Sequence, residues 1–370
     1  MLLKNICVLT MGQSPDSKTY NKTGLGLPFY QGNADFGEEH PTPTTWCTSP
    51  KKIARKNDIL LSVRAPIGDL NVANEDCCIG RGLASIRSQN NQYLLNDYLF
   101  TFIDSKKEFL INAGTGATFK AIGKSVIENL ELTIPTIEKQ KNITSCIAKI
   151  KQTIKNKKEQ LKSLDELVKS RFIEMFGDPE ADRIYPLKAL SEIGQILTGT
   201  TPSMKKTEYY NSNDIMFFKP GDIAEEKVTY LNSSINYISE NARDVARIFP
   251  KGSVLVTCIG IIGKIGITNF EGSCNQQINV IIPNQNANSE FLAYSLYIIR
   301  NKIQEAANAP VVPILNKSDF SKLELPMPPI ELQNTFAEFV KQVDKSKFIV
   351  QKQIEDLQEL LDSKMDEYFG

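Results

Sequence analysis

Lys124-Ser125-Val126-Ile127-Glu128-Asn129-Leu130-Glu131-Leu132-Thr133-Ile134-Pro135-Thr136-Ile137-Glu138-Lys139-Gln140 is written again as Lys317-Ser318-Asp319-Phe320-Ser321-Lys322-Leu323-Glu324-Leu325-Pro326-Met327-Pro328-Pro329-Ile330-Glu331-Leu332-Gln333. Nine positions match at one offset, 193, within a 17-residue window: Lys-Ser, Leu-Glu-Leu, one proline, Ile-Glu and the glutamine. Each copy leads into a long charged segment, and the two segments close on Phe176-Gly177 and Phe369-Gly370. A divergent repeat with its elements in the same order is the mark of one fold written twice, its loops free to diverge in what they do.

Working outward from the repeat, four segments emerge. Residues 1–137 form a first globular unit and 138–180 a long helix with its turn; residues 181–329 form a second unit and 330–370 a second long helix. Gly177-Asp178-Pro179 is the break expected just past a helix end. Asp58-Ile59-Leu60-Leu61-Ser62-Val63 and Ser253-Val254-Leu255-Val256-Thr257-Cys258 are apolar runs suited to buried strands. Each is followed by a glycine-containing loop, and their offset is near 195. A polar turn recurs as Gly12-Gln13-Ser14-Pro15 and Gly199-Thr200-Thr201-Pro202, followed by the aromatic pairs Phe29-Tyr30 and Phe217-Phe218.

The long segments carry a heptad seam. In the first it runs through Ile143, Ile147, Ile150, Ile154, Leu161, Leu164, Val168 and Met175, with Lys157 and Arg171 interrupting. In the second it runs through Phe336, Val340, Val343, Val350, Ile354, Leu357, Leu361 and Tyr368, with Lys347 and Lys364 interrupting. Residues 138–180 hold 10 basic and 7 acidic groups, and 330–370 hold 5 basic and 9 acidic. Those opposite balances favour pairing of the two helices within the chain over self-association or packing of each on its own unit. A helix of about 39 residues spans about 58 Å.

Composition sets further bounds. The 370 residues suffice for two or three cores, and 41% hydrophobic with 23% charged residues excludes disorder and fibrous classes. Lys plus Arg equals Asp plus Glu at 43 each, so net charge announces no nucleic-acid partner, although a local basic face is compatible with it. The seven cysteines lack a CxxC pair and read as buried thiols of a reducing compartment. Even the vicinal Cys77-Cys78 reads that way. The single histidine, His40, lies in a polar loop. No signal-peptide pattern or membrane-length apolar run is present, and a cytoplasmic location is expected.

No enzyme signature in the sequence is complete. Gly123-Lys124-Ser125 ends like a phosphate-binding loop, but Gly116 is mis-spaced and the second copy lacks the glycine. Gly260, Gly263 and Gly266 do not make a dinucleotide fingerprint. Met327-Pro328-Pro329-Ile330 lacks the asparagine of an amino-methyltransferase motif and reads as a helix start. Trp46, in the loop Thr44–Cys47, reads as a packing anchor.

What remains is binding. Basic and amide residues suited to phosphates and base edges lie in or beside turns. In the first unit they are Gln13, Ser14, Lys18, Lys22, Arg64, Arg81, Lys120 and Lys124. In the second they are Thr200, Thr201, Lys205, Lys206, Lys219, Lys264, Asn275, Gln276, Gln277 and Lys317. Arg64, Arg81 and Gln276-Gln277 stand out because they follow apolar runs. For any one of them, plain surface solvation is the competing reading.

The whole chain resembles the specificity (S) subunits of type I restriction–modification systems. The resemblance rests on the duplicated Leu-Glu-Leu-x-x-Pro-x-Ile-Glu-x-Gln approach and on the helix end Ser170-Arg171-Phe172-Ile173-Glu174-Met175-Phe176-Gly177-Asp178-Pro179. It rests also on Ser62-Val63-Arg64-Ala65-Pro66-Ile67-Gly68 with Cys78-Ile79-Gly80-Arg81-Gly82. The resemblance implies an α+β fold in which two mixed α/β target-recognition domains are separated by two long antiparallel helices forming an intramolecular coiled coil. Each domain would read half of a bipartite, asymmetric site in double-stranded DNA. The helices would set the half-site spacing and dock two methyltransferase subunits, with restriction subunits as optional further partners and no membrane. No cofactor is expected in this chain; S-adenosylmethionine, ATP and Mg belong to the partners. The first copy departs by writing Pro135-Thr136-Ile137 where the second has Pro328-Pro329-Ile330, and no tail beyond the second Phe-Gly is expected to close the ring of repeats. Two other classes stay open: a two-domain enzyme with a composite interface site, and a coiled-coil adaptor that binds proteins.

Overall fold

The computed structural model describes residues 1–116, 120–179, 181–182, 184–307 and 313–370. The expected boundary at residue 180 lies outside the described residues. The chain forms two compact units, Met1–Lys157 with Gln353–Gly370 and Lys158–Lys352. The long helices therefore do not stand apart as a third body. Each contributes one half to either unit.

In the first unit an antiparallel sheet runs in the order Cys7–Met11, Leu83–Ser88, Ile59–Ser62, Leu70–Val72. Ile59-Leu60-Leu61-Ser62 is buried at every position, as a continuous apolar run in a central strand should be. A second, mixed sheet runs Tyr20–Asn21, Trp46–Cys47, Leu27–Tyr30, Cys77–Ile79, Ile53–Ala54, with Leu27–Tyr30 and Cys77–Ile79 parallel. Trp46 is thus a half-buried strand residue, not a loop residue: two-residue strands are fixed by distant partners and leave no period-2 signature. The helix Asn96–Ser105 lays Tyr98, Leu99, Phe102 and Ile103 on the core.

The second unit repeats the plan. Its main sheet runs Gly194–Thr198, Ile278–Pro283, Val254–Thr257, Ile265–Thr268, Thr229–Leu231, and Tyr237–Ile238, Ile215–Phe218 and Gly272–Cys274 form a smaller one. Ser289–Ile298 matches Asn96–Ser105 at the 193 offset and is capped by Asn288, whose side chain accepts from the Glu290 and Phe291 amides.

The long helices span Ile137–Phe176 and Ile330–Phe369. Inside the first unit, Ile143 from the start of one shares a core with Phe369 from the end of the other. Inside the second unit, Phe172 and Phe176 share a core with Phe336 and Val340. Both pairings are antiparallel, and Lys347, a seam interruption, reaches across to Asp165 at 2.6 Å. The expected seam is corrected at its ends. Met175 and Tyr368 are only partly covered, whereas Phe172 and Phe176 are buried, as is Phe369, with Met365 one turn earlier packed against the same core. The spacing there shifts from alternating threes and fours to consecutive fours. A 3.6-residue helix drifts from a 3.5-residue seam, and at its end each helix packs on a globular core as well as on its partner helix. Phe369 lies 5.3 Å from the Tyr98 ring and 5.9 Å from Phe102; Phe176 lies 4.9 Å from Phe291, the residue matching Tyr98.

Six of the seven cysteines are buried and all are free. Burial pushes the Cys77 thiol up to about 12 and Cys78 up to about 11. With thiolate so scarce, neither should react with a maleimide in the native protein at pH 8. Half-buried Cys146 is expected to label first, with Cys77 and Cys78 modified only on unfolding, as read by peptide mass spectrometry. Native labelling at Cys77-Cys78 would contradict this burial. His40, expected to be solvated, is exposed, and its Nδ1 lies 2.8 Å from the Val72 carbonyl.

Candidate nucleic-acid interface

In the first unit, strand Cys7–Met11 ends at Gly12, whose amide donates to the Leu83 carbonyl (2.8 Å). A Cβ on Gly12 would stand 2.1 Å from the Gly80 carbonyl oxygen, so only glycine lets the two backbones cross here. Past the crossing, the Gln13 amide donates to Ile79 (3.0 Å) and the Ser14 hydroxyl accepts from the Arg81 amide (3.4 Å). The loop tip is held from its other side by Gly80 N–H to Tyr30 (2.8 Å) and Gly82 N–H to Gln31 (3.1 Å). Arg81 is exposed, and its guanidinium makes no hydrogen bond or ion pair among the described residues. Burial, then the Cys47 and Cys78 thiols and Asp16, push the neighbouring Tyr20 hydroxyl above its ordinary value, while the Arg81 charge pulls it back. Tyr20 braces the turn by donating to Pro15 (3.1 Å).

The second unit builds the same crossing with different side chains. Gly199 N–H donates to Ile278 (3.0 Å), and a Cβ on Gly199 would stand 2.1 Å from the Asn275 carbonyl oxygen. Asn275 N–H donates to Phe218 (3.1 Å) and Tyr210 braces the turn at Pro202 (2.6 Å). Where the first unit has Ser14 and Arg81, this one has Thr201 and Gln276. The Thr201 hydroxyl donates to Gln276 Oε1 (2.7 Å), and Gln276 is exposed. Asn275 is buried and exchanges two bonds with Gln277, which takes both out of the exposed set. Thr200 turns its hydroxyl inward, where it meets no partner among the described residues.

A second pair of equivalent loops follows the central strands. Ser62 donates to the Pro66 and Arg64 carbonyls (2.8 and 3.0 Å), and Thr257 donates to Ile261 (2.6 Å). The first loop pairs with Lys120 and Ala121, through Ala65 N–H to the Lys120 carbonyl (3.2 Å) and a bridge from Arg64 to Ala121, which brings exposed Arg64 and Lys120 together. In the second unit the matching bridge joins Ile259 to Ile314, so Ile259 and Pro313 stand where the first has Arg64 and Lys120, and the exposed side chains nearby are Ile261 and Ile314.

The remaining candidates are dispersed. Lys18 and Lys22 are exposed on turns closed by Asp16 and Asn21. Lys124 pairs with Glu128 (2.9 Å), and Lys317 opens the matching helix Lys317–Lys322; both belong to the repeated approach to the long helices. Lys205 is exposed; Lys206 donates to the Tyr209 hydroxyl (3.0 Å), which holds its ammonium above the ordinary range. Lys219 bonds Asn236 (2.7 Å), and half-buried Lys264 donates to the Pro220 carbonyl (3.2 Å), a structural tie. Sequence reasoning missed the bracing tyrosines Tyr20 and Tyr210 and the exposed isoleucines Ile261 and Ile314. The spacing of Pro15 to Tyr20 and of Pro202 to Tyr210 differs, which hides the first pair. Among the described residues no group of His, Cys, Asp or Glu could hold a metal ion, and no helix is long and apolar enough to cross a membrane.

The fold and its two crossings define a duplicated protein: one scaffold presented twice, with different exposed chemistry at equivalent points. The chain belongs to the type I restriction modification DNA specificity domain family, whose model matches residues 1–166 and 186–359. It is 40% identical over 161 residues to the putative MjaX type I restriction enzyme specificity subunit of Methanocaldococcus jannaschii, covering 44% of this chain and 38% of that protein. It is 31% identical over 186 residues to the HindI specificity subunit of Haemophilus influenzae, covering 48% and 40%. The chain thus spans about two fifths of the length of these curated relatives. The type I restriction–modification S subunit from M. genitalium shares the fold at a TM-score of 0.58 and 14% identity, over 100% of this chain and 95% of that one. A chain from a structural study of complex assembly and conformational transition of the type I system does so at 0.69 and 16%, over 100% and 96%.

Proposed function

We propose that this chain is the DNA-specificity subunit of a type I restriction–modification complex. Each unit reads one half of a bipartite, asymmetric site in double-stranded DNA. The long helices set the half-site spacing and dock two methyltransferase subunits, with restriction subunits joining in the restricting form. Methyl transfer from S-adenosylmethionine, and the ATP- and Mg-dependent steps, belong to those partners, and this chain works without catalysis or a cofactor of its own. The observation that carries the reading is the pair of crossings: two backbone bonds recur, Gly12 N–H to Leu83 as Gly199 N–H to Ile278 and Gly80 N–H to Tyr30 as Asn275 N–H to Phe218, and beside them stand Arg81 in one unit and Gln276 in the other. An enzyme with one composite site has no use for that duplication. Phe348 and Ile349 on the second long helix, 72% and 56% exposed, are large apolar side chains suited to a docked partner subunit.

The test is co-expression with the methyltransferase subunit encoded nearby, followed by sequencing of host DNA for methylated bases. A new two-part methylated motif is expected. An assembled complex that leaves methylation unchanged would sink the reading. Adding one heptad to both long helices should widen the gap by about three base pairs, since seven residues add about 10 Å, and leave the half-site sequences intact. Altered half-sites at a constant gap would remove the helices from the role of spacer.

A further inference from the structure

We infer that the crossing beside Gly12 and Gly199 is a base-reading point of each unit, with Arg81 addressed to a guanine edge and Gln276 to an adenine edge in the major groove. The inference rests on the reading that the chain recognises duplex DNA, and it names where and by what chemistry.

Three features single out these positions. The first is a fixed root. At Arg81 the loop is pinned by Gly80 to Tyr30, Gly82 to Gln31 and the Arg81 amide to Ser14, so the side chain starts from a backbone with little freedom. A Cβ on Gly82 would stand 2.3 Å from the Gln31 oxygen, which shows how closely the tip is seated. The second is a free functional end. The guanidinium of Arg81 keeps all its donors unpaired within the described chain, whereas Lys124, Lys206, Lys219 and Lys264 are already committed to internal partners.

The third feature is preorganisation of the amide. The Thr201 hydroxyl donates to Gln276 Oε1, which tethers the head of the side chain beside the crossing. One lone pair on that oxygen and both N–H donors remain available. That is the acceptor–donor pair needed to take the N6 hydrogen and the N7 lone pair of adenine, as an arginine fork takes O6 and N7 of guanine. A residue kept only for solubility needs neither a pinned root nor a tethered head. Equivalent positions on a shared crossing, Gly12 to Leu83 with Gly80 to Tyr30 and Gly199 to Ile278 with Asn275 to Phe218, with exchanged chemistry are what two readers of different half-sites require.

The test uses the complete complex of this chain with its methyltransferase subunits and reads the methylated motif genome-wide. Arg81→Gln combined with Ser14→Thr copies the second crossing into the first unit. The expected result is a change from guanine to adenine at one position of one half-site, with the other half-site and the gap unchanged. The retained half-site reports that the variant has folded and assembled. Gln276→Arg with Thr201→Ser should make the reverse change in the other half. Arg81→Lys keeps the charge and loses the fork, so the preference for guanine at that position should fall about 10- to 100-fold while methylation continues. An unchanged motif in these variants overturns the inference. Uniformly weaker methylation with an unchanged motif also overturns it and makes Arg81 a phosphate contact. A wild-type complex that yields no two-part motif instead defeats the proposed function itself.

Discussion

Phe172→Ala is expected to destabilise the second unit by about 4 kcal/mol, the range for emptying a fully enclosed aromatic site. The side chain is 0% exposed and meets three other rings. It lies 5.0 Å from Phe176, stacks on Phe291 at 5.6 Å and 16°, and meets Phe336 edge-on at 5.4 Å and 84°. Those partners come from the same helix, from the globular helix Ser289–Ile298 and from the start of the second long helix. One truncation therefore loosens three elements at once. Transfer and cavity terms dominate, and each ring pair adds about 0.5–1.5 kcal/mol beyond area. Because unfolding of a two-unit chain need not be two-state, the measurement should be local: hydrogen exchange of the Val254–Thr257 and Ile278–Pro283 amides. Their protection should fall by about three powers of ten, while Phe109→Ala, at a 54% exposed position, should change nothing. A Phe172→Ala protein with protection within tenfold of wild type would show that this aromatic cluster does not hold the unit together.

The parts of this fold that were legible in the sequence are those whose signal is local or duplicated. The helix ends at Phe176 and Phe369 could be placed to the residue because glycine and the repeat mark them. The central strands were visible as apolar runs, needing only one residue trimmed from either end. Sheet order was not legible, because Leu27–Tyr30 pairs in parallel with Cys77–Ile79 across a long loop and pairing of that kind leaves no periodic trace. The site follows the same rule. Arg81 and Gln276 could be flagged from their position after apolar runs, but their contacts with Ser14 and Thr201 span 67 and 75 residues. Lys264 and Asn275 looked like surface groups for the converse reason: the Pro220 and Phe218 carbonyls that tie Lys264 and the Asn275 backbone come from elements the spacing does not connect. Local chemistry can nominate a reader, and only the crossing shows which nominee is held in place.

Gln140→Leu is expected to cost about 3 kcal/mol in the first unit, and Gln333→Leu the same in the second. This glutamine is the last matched letter of the repeat, and both copies are 0% exposed. Gln140 Oε1 accepts from the Leu95 amide (2.9 Å), while Nε2 donates to the Tyr93 and Pro135 carbonyls (both 2.9 Å). Gln333 does the same for Asn288 (2.9 Å), Asn286 (3.1 Å) and Pro328 (2.8 Å). One amide thus ties the entry of the long helix to the loop that starts the globular helix, and satisfies three backbone groups where water does not reach. Leucine has similar volume, so packing changes little and the loss is that of unsatisfied buried polar groups, about 1–3 kcal/mol each before relaxation. Gln140→Glu separates the two halves of the argument. Its carboxylate still accepts from Leu95 but faces two carbonyl oxygens without a hydrogen to give, so its folded-state pKa must rise above the unfolded value of about 4.3. A raised pKa means the folded state holds the proton more tightly, so stability recovers as pH falls through the raised value toward the unfolded value of about 4.3. Denaturation of the two variants at pH 7 and pH 4.5 is the check. Gln140→Glu should gain on Gln140→Leu as the pH is lowered, and a Gln140→Leu protein within 1 kcal/mol of wild type would remove the glutamine from its role in joining helix to unit.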